Sequence, residues 1–467
     1  MSTKPRPQLP PKNRPIDMKL DNLQQINLNA AGIDVGSRTH WVSVPQERDT
    51  ECVRSFGCFT ADLYALADWL KQCEIETVAM ESTGVYWIPL FQVLETRGFE
   101  VRLVNAHHVK TVPGRKSDVL DCQWLQQLHT YGLLSGSFRP ENQVCVLRSY
   151  IRQRDNLIRS AAVHVQRMQK ALTEMNVQLH QVIADITGLT GMAIIRAIVA
   201  GERNPQVLAA LKDRRTKSTT DEIAQALTGD YRPEHVFLLQ QELQLYEVYQ
   251  AQIAACDHQI EQCLAQFSAK VDVVESPLPK PKHQRRKPQG NVPTFDLRTH
   301  LYRISGVDFT RIDGFGVLIV QTILSEVGLD PHRFPTVKHF TSWLGLCPGS
   351  HITGGKVKSS HTRRVVNRAA NAFRLAAHSA GKSDSAMGAF YRRLRSRVGT
   401  PKAITATAHK LARIFYRLWT TGGDYSDLGT DYHEQKYQER MVKNLMKKAQ
   451  SLGFELVPQS SVAGSVS

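Results

Sequence analysis

Ala31-Gly32-Ile33-Asp34-Val35-Gly36-Ser37-Arg38-Thr39-His40 decides how the first third of the chain reads. The run Ala30–Val35 is apolar except for one carboxylate and predicts a buried strand that carries Asp34. A carboxylate among apolar side chains is costly to bury unless its charge is compensated, and a metal ion is the usual compensation. Gly36 lets the chain turn, and His40–Val44 starts a second strand. Further strands are expected at Cys52–Phe56, Thr77–Glu81 and Glu100–Val104, with helices at Thr60–Gln72, Trp87–Arg97 and Ser117–Tyr131. Three strands followed by alternating helices and strands is the order of an RNase H-like α/β domain.

In such a sheet the first and fourth strands are neighbours. Glu81 ends the apolar strand Thr77-Val-Ala-Met-Glu81, and Asp118 and Asp121, three apart, share one face of a helix. A helix packed back across the two strands would bring Asp34, Glu81, Asp118 and Asp121 to one point. Oxygen ligands of this kind suit two divalent ions, with Mg²⁺ the natural choice for phosphodiester chemistry and Mn²⁺ the alternative. Singly, an acid at a strand end is usually solvated and a DxxD pair usually lies on a surface. The four together, on the right elements and in the right order, carry the argument.

The rest of the chain is consistent with a polyanionic partner. Its 467 residues suggest two to four domains, and 42% hydrophobic content is enough for real cores. A net charge of +16 points first to nucleic acid and second to an acidic membrane surface. No run of 18 apolar residues is present and the N-terminus has no apolar signal core, so no membrane association and a cytoplasmic location are expected. Eight cysteines without a CxxC pair read as small buried hydrophobes, not as zinc ligands or disulfides.

The expected domains are a disordered basic arm (1–27), the α/β domain (28–140), a helical coiled-coil region (141–275), a basic Pro-rich linker (276–298), a mainly α domain (299–422), and a C-terminal helix and tail (423–467). Leu147, Ile151, Arg154, Ile158, Ala161, Val165, Met168, Leu172, Met175, Leu179 and Val182 form one heptad seam. Leu239, Leu243, Tyr246, Gln250, Ile253, Asp257, Ile260, Leu264 and Phe267 form a second, whose polar Gln250 and Asp257 weaken it and fix its register. The seams read equally as one antiparallel hairpin within a subunit or as a dimerisation arm. Arg203–Asp230 is mixed and polar and gives no reading. Ile312-Asp-Gly-Phe-Gly-Val317 reads as a helix-hairpin-helix turn or as a simple tight turn.

A further helix pattern places Val365, Val366, Ala369, Ala370, Ala372, Phe373, Ala376, Ala377 and Ala380 on one face. Arg364, Asn367, Arg368, Asn371 and Arg374 lie on the other, a set suited to phosphate and base-edge contacts. No Asp or Glu lies between Lys356 and Lys382, whereas a merely solvated face usually mixes both signs. Lys356, Lys358 and Arg363 extend the candidate nucleic-acid surface, as do Arg392, Arg393, Arg395 and Arg397. Phe390, Tyr391, Phe415, Tyr416 and Trp419 read as core or as base-stacking groups. Arg148, Arg152, Arg159, Arg167 and Lys170, off the first seam, are a candidate RNA surface.

The acidic quartet, with the strings GIDVGSRTH, AMESTGVYW, VNAHHVK and GRKSDVLDCQWL, resembles the DEDD insertion-sequence transposases, the IS-one-ten family related to the Piv invertases. Phe340-Thr-Ser-Trp-Leu-Gly-Leu-Cys-Pro348, Ile352-Thr-Gly-Gly-Lys-Val357, Asn367-Arg-Ala-Ala370 and Arg374-Leu-Ala-Ala377 are similar to that family's C-terminal transposase domain. The resemblance covers roughly residues 28–140 and 300–420. It implies a RuvC-like catalytic domain whose Mg²⁺ is held by Asp34, Glu81, Asp118 and Asp121. It also implies a hydroxyl nucleophile in the C-terminal domain, a serine before two glycines. Thr353 stands there instead, and its extra methyl crowds attack; Ser350, Ser359 and Ser360 are the reserves.

The resemblance thus implies a DNA transposase or recombinase of a bacterial or archaeal mobile element, cytoplasmic and nucleoid-associated when acting. It further implies a guide RNA encoded by the element and a synaptic homodimer or homotetramer, with the quartet of one subunit meeting the hydroxyl of another. Two alternatives stand beside this reading. One is a RuvC-like metal-dependent junction nuclease with no covalent step, and the other is a decayed, non-catalytic nucleic-acid-binding protein.

Overall fold

The computed structural model describes residues 24–105, 118–281, 290–363, 365–427 and 429–457. Residues 1–23 of the basic arm, the histidine pair of VNAHHVK, Arg364 and the Lys/Arg-rich centre of the linker lie outside the described residues. The chain divides into two compact units, Met1–Arg139 and Pro140–Ser467.

The first unit contains β1 (Ala30–Val35), β2 (Thr39–Ser43), β3 (Val53–Gly57), α1 (Thr60–Gln72), β4 (Thr77–Glu81), α2 (Trp87–Thr96), β5 (Glu100–Val104) and α3 (Asp118–Thr130). The sheet order is β3-β2-β1-β4-β5, with the first three strands antiparallel and β1, β4 and β5 parallel. This order is consistent with an RNase H-like domain. β1 and β4 are almost continuously buried because both faces of the sheet are covered. On one face Ile33, Val35, Val78 and Met80 pack with Leu63, Leu66, Leu70, Leu90 and Leu94 of α1 and α2. The alternate residues face the other way, and α3 lies across β1, β2 and β4 there. The expected strand edges move by one residue at β2 and β3, whose ladder runs from Thr39↔Gly57 to Ser43↔Val53.

The second unit is mostly helical. Its long helices α4 (Asn142–Glu174) and α6 (Pro233–Gln266) pack against each other within the one chain. The pairs Arg154–Asp257, His164–Glu242 and His235–Glu174 fix them as antiparallel. Leu147, Ile151, Arg154, Ala161, Met168 and Leu172 are buried as the first seam requires. In the second seam Asp257 is buried and ion-paired to Arg154, whereas Gln250 is exposed and takes no part. At the far end of this hairpin sit α5 (Leu189–Val199) and the short helices Leu179–Val182, Pro205–Ala210 and Thr220–Ala226. Leu208, Ala209, Ile223, Ala224 and Leu227 of the unread polar stretch close a core with Met168, Ile194, Ile195, Ile198 and Leu239.

After the linker come α7 (Leu297–Ser305), α8 (Val317–Val327), α9 (Val337–Trp343), the hairpin β6 (His351–Thr353) and β7 (Lys356–Ser359), α10 (Arg368–Ala380), α11 (Ala386–Val398), α12 (Thr400–Thr421) and α13 (Gly429–Ser451). Asp296 caps α7 by accepting a hydrogen bond from the Thr299 amide, so the end of the expected linker is already helical. Gly314 has φ +90°, and a Cβ there would lie 2.3 Å from the Ala376 carbonyl oxygen of α10. This close packing on the alanine-rich helix favours the tight-turn reading of Ile312–Val317. Phe309, Phe315, Phe340, Phe373 and Phe415 stack in the core beside Trp419. Phe415, Trp419 and Tyr391 are therefore core residues rather than base-stacking groups.

Replacing one partner of the buried Arg154–Asp257 pair leaves the other charged and unpaired. Asp257→Ala is expected to cost about 3–5 kcal/mol, while Arg154→Leu with Asp257→Leu restores most of that stability or more. Chemical denaturation of the three proteins distinguishes these outcomes.

Candidate active site

Asp34 follows Ile33, which pairs with Met80 in the parallel β1–β4 ladder, and Glu81 follows Met80. The two carboxylates therefore stand at the same level at the C-terminal ends of adjacent strands. Alternation along β1 and β4 turns both toward α3, on the face shared by Gly32 and Thr77. Glu81 is 6% exposed, and its Oε1 accepts a 2.6 Å hydrogen bond from Thr83. Asp34 is half-buried.

Asp118 and Asp121 occupy the first described turn of α3, where the helix dipole favours negative charge. Asp118 is exposed and Asp121 half-buried. The Cys122 thiol beside them is fully buried, and its pKa is pushed up to about 12 by burial, then by the negative charge of Asp34 and of Asp121. One thiol thus feels both the strand carboxylate and the helix carboxylate. The sequence reading passed over Cys122 and Thr83. A thiol packed as a small hydrophobe and a hydroxyl two residues after a strand end carry no signal of their own.

Two contacts seat α3 on the sheet. A Cβ on Gly32 would lie 2.2 Å from the Gln126 amide nitrogen and 2.4 Å from the Cys122 carbonyl oxygen, so only glycine admits the helix backbone this close. A lone glycine inside an apolar strand was the available signal. At the other end of the helix, Thr77 Oγ1 donates to the Glu100 carbonyl at 3.1 Å and so must accept from His129 Nε2 at 2.8 Å. Burial holds the His129 pKa down at about 4, with the Arg102 charge adding to the effect and Glu100 opposing it.

The donor set is all carboxylate, which fits a hard divalent cation. The strand register and the helix packing bring Asp34, Glu81 and Asp121 to one face of the sheet. Among the described residues, however, no three His, Cys, Asp or Glu side chains stand close enough to form a metal cluster. Thr353 ends β6 and is exposed. Gly354 and Gly355 follow with φ +56° and +74°, the backbone of a type I′ hairpin turn.

The expected basic helix starts at Arg368, later than its pattern suggested. Val365 and Val366 precede it, and Val366 is fully exposed, because Asn367 in extended conformation caps the helix through the Ala370 amide. Lys356, Lys358, Arg368 and Asn371 are exposed. Arg374 donates to Asn371 Oδ1 at 3.0 Å, Arg368 lies 3.8 Å from Asp155, and Arg363 donates to the carbonyl and hydroxyl oxygens of Ser342. Arg148 and Arg152 bind Ser325 and Glu326 of α8, so they are committed to helix docking.

Gly32→Ala should displace α3 and lower stability by about 1–3 kcal/mol, read by thermal denaturation. His129 has a folded pKa below its unfolded value of 6.5, so the unfolded chain binds more protons between the two. Its contribution to stability is present above pH 6.5 and is lost as pH falls toward about 4. His129→Gln should flatten the pH dependence of the denaturation midpoint in that window.

Comparison with known proteins places these elements in a family. Residues 31–177 match the DEDD transposase model of the IS110 family, and residues 308–392 match the transposase model of the IS116/IS110/IS902 family. An insertion element IS110 uncharacterized 43.6 kDa protein of Streptomyces coelicolor is 30% identical over 118 residues, 25% of this chain and 29% of that protein. A putative transposase of Sinorhizobium fredii is 29% identical over 122 residues, 25% of this chain and 31% of that protein. The matched stretch spans about a third of either relative. Both models match in order along one sequence, and over those residues the chain is similar to the IS110 family of transposases.

Proposed function

We propose that the chain cuts and rejoins DNA as the transposase of an insertion sequence. The observation that carries this is the register that sets Asp34 beside Glu81 under the first turn of α3. In this reading Asp34, Glu81, Asp118 and Asp121 hold divalent metal, Mg²⁺ or Mn²⁺. When bound, the metal supplies charge neutralisation for the phosphodiester oxygens. Thr83 orients Glu81 through its hydrogen bond, and the Gly32 contact sets the height of the helix carboxylates. The exposed Thr353 hydroxyl attacks phosphorus, and its oxygen bonds to the DNA strand while the opposite end leaves as a free hydroxyl. Lys356, Lys358, Arg363, Arg364, Asn367, Arg368, Asn371 and Arg374 hold DNA by phosphate and base-edge contacts. An element-encoded guide RNA and assembly as a homodimer or homotetramer complete the reading, and both rest on family resemblance.

A hydrolytic junction nuclease is the second reading. It is favoured by the exposure of Thr353 at a hairpin end.

The test uses end-labelled DNA carrying the termini of the encoding element, with Mg²⁺ and with co-purified RNA retained or digested. Asp34→Asn is expected to reduce cleavage at least a hundredfold while leaving DNA affinity intact. Thr353→Ala should abolish a covalent protein–DNA adduct that Thr353→Ser retains. Cleavage without any adduct would move the protein to the nuclease reading, and unchanged cleavage by Asp34→Asn would remove the quartet from the chemistry.

A further inference from the structure

The hairpin around Thr353 has two faces, and only one belongs to the chemistry proposed above. Its ladder pairs Thr353 with Lys356 and Ile352 with Val357. Alternation puts Lys356 on the face of Thr353 and leaves Ile352 and Val357 side by side on the other, while Lys358 is the extra residue at the register shift just beyond that pair. Both apolar residues are exposed, Ile352 by 62% and Val357 by 60%. Two β-branched side chains directly opposite each other form a stiff, narrow ridge. The ridge stands on an anchored stem. Pro348 bridges Thr362, the Gly349 amide donates to the His361 carbonyl at 2.8 Å, and Arg363 ties the descending strand to Ser342. A Cβ at Gly354 or Gly355 would meet nothing within 4 Å, so the tip is open.

The surrounding charge selects the occupant. From Pro331 to Ser383 the sequence holds nine Lys and Arg and no Asp or Glu. A protein partner for an apolar ridge would ordinarily bring carboxylates or apolar surface of its own. An apolar ridge in a segment that carries only positive charge matches a polyanion with apolar layers inside it, which is stacked nucleic acid. Proteins that combine phosphate-binding cations with small apolar wedges insert the wedge between base steps and unstack them.

We infer that Ile352 and Val357 form a wedge that enters a DNA base step and opens it, while Lys356 and Lys358 grip the adjoining phosphates. This inference rests on the proposed DNA-binding reading and deepens it. The wedge separates the stack next to the strand that Thr353 faces. Pyrimidine–purine steps are its preferred entry points because they unstack most readily.

The test uses the full chain with mixed-sequence 30-bp duplexes carrying 2-aminopurine at TpA and CpA steps. Anisotropy reports binding and 2-aminopurine fluorescence reports unstacking. The expected result is binding accompanied by a fluorescence rise. The double variant Ile352→Thr, Val357→Thr keeps two strand-favouring residues, so its hairpin is retained. It should lose the rise, weaken binding about tenfold and keep the salt dependence of the parent. Ile352→Val should keep the rise. Lys356→Ala should instead lower the salt slope. Binding without a fluorescence rise overturns the wedge alone, as does an unchanged rise in the double variant. A drop in sedimenting mass for the double variant, with the rise unchanged, assigns the ridge to self-association and overturns the wedge. Absence of binding to any duplex overturns both the wedge and the DNA-binding reading beneath it.

Discussion

The approach of α3 to β1 at Gly32 is the contact on which the candidate site depends. A helix normally rests on a sheet through two layers of side chains. Here the helix backbone at Cys122 and Gln126 comes within touching distance of the strand, and any side chain at position 32 would hold it away. The first turn of α3 is thereby brought down to the ends of β1 and β4. Without that approach Asp121 and Asp34 would not act together on the Cys122 thiol. The arrangement brings carboxylates to one end of a sheet, where their like charges repel. The α3 N-terminus offsets part of this cost, and a divalent cation would offset more.

Cations in the second unit divide into two groups. Arg154 is buried against Asp257, Arg298 against Asp308, and Arg303 binds carbonyl oxygens at the end of α6. Arg392 closes the turn between α10 and α11 through the Gly381 and Ser383 carbonyls. These side chains hold helices together, so they are a poor guide to a partner. The acid-free stretch Pro331–Ser383 is different, since its lysines and arginines have no carboxylates in their own segment, although Arg368 lies 3.8 Å from Asp155 of α4. Net charge alone does not separate these groups; the distribution of acids along the sequence and the pairing in the folded chain do.

Much of the first unit was legible because its signals are local. β1 and β4 are short, mostly apolar runs, β5 alternates charged with apolar residues, and the spacing of Asp118 and Asp121 alone puts them on one helix face. The long helices were legible through their heptads, but their partner was not. An intrachain hairpin and an intermolecular arm give the same a/d pattern, and the choice lies in the pairing of Arg154 with Asp257. Gln250 holds a seam position and is exposed while Ile253, Asp257, Ile260 and Leu264 beyond it are buried, so a place in the heptad does not by itself bury a side chain. The helices of residues 179–226 were illegible for a different reason. Three of the four are seven residues or shorter, and each places only one or two side chains in the core, too few to show a period. Val365 and Val366 were misassigned because a helical wheel records angular position only, while the Asn367 cap decides where the helix begins.

The departure at Thr353 can be understood from the fold without reference to catalysis. The chain must reverse between β6 and β7 in two residues, and a turn with φ positive at both requires residues such as the two glycines that occupy it. The residue before that turn is the last of a strand, exposed, and paired with Lys356. A β-branched side chain suits such a position, since its χ1 restriction costs little in a pleated strand. Threonine therefore stabilises the hairpin end better than serine, while its hydroxyl remains on the same carbon. The extra methyl that would crowd the hydroxyl in the attack proposed for it is the same methyl that stiffens the strand carrying it. Under that proposal hairpin order and nucleophile access are opposed at this one residue, so a serine in its place would relax the first and ease the second.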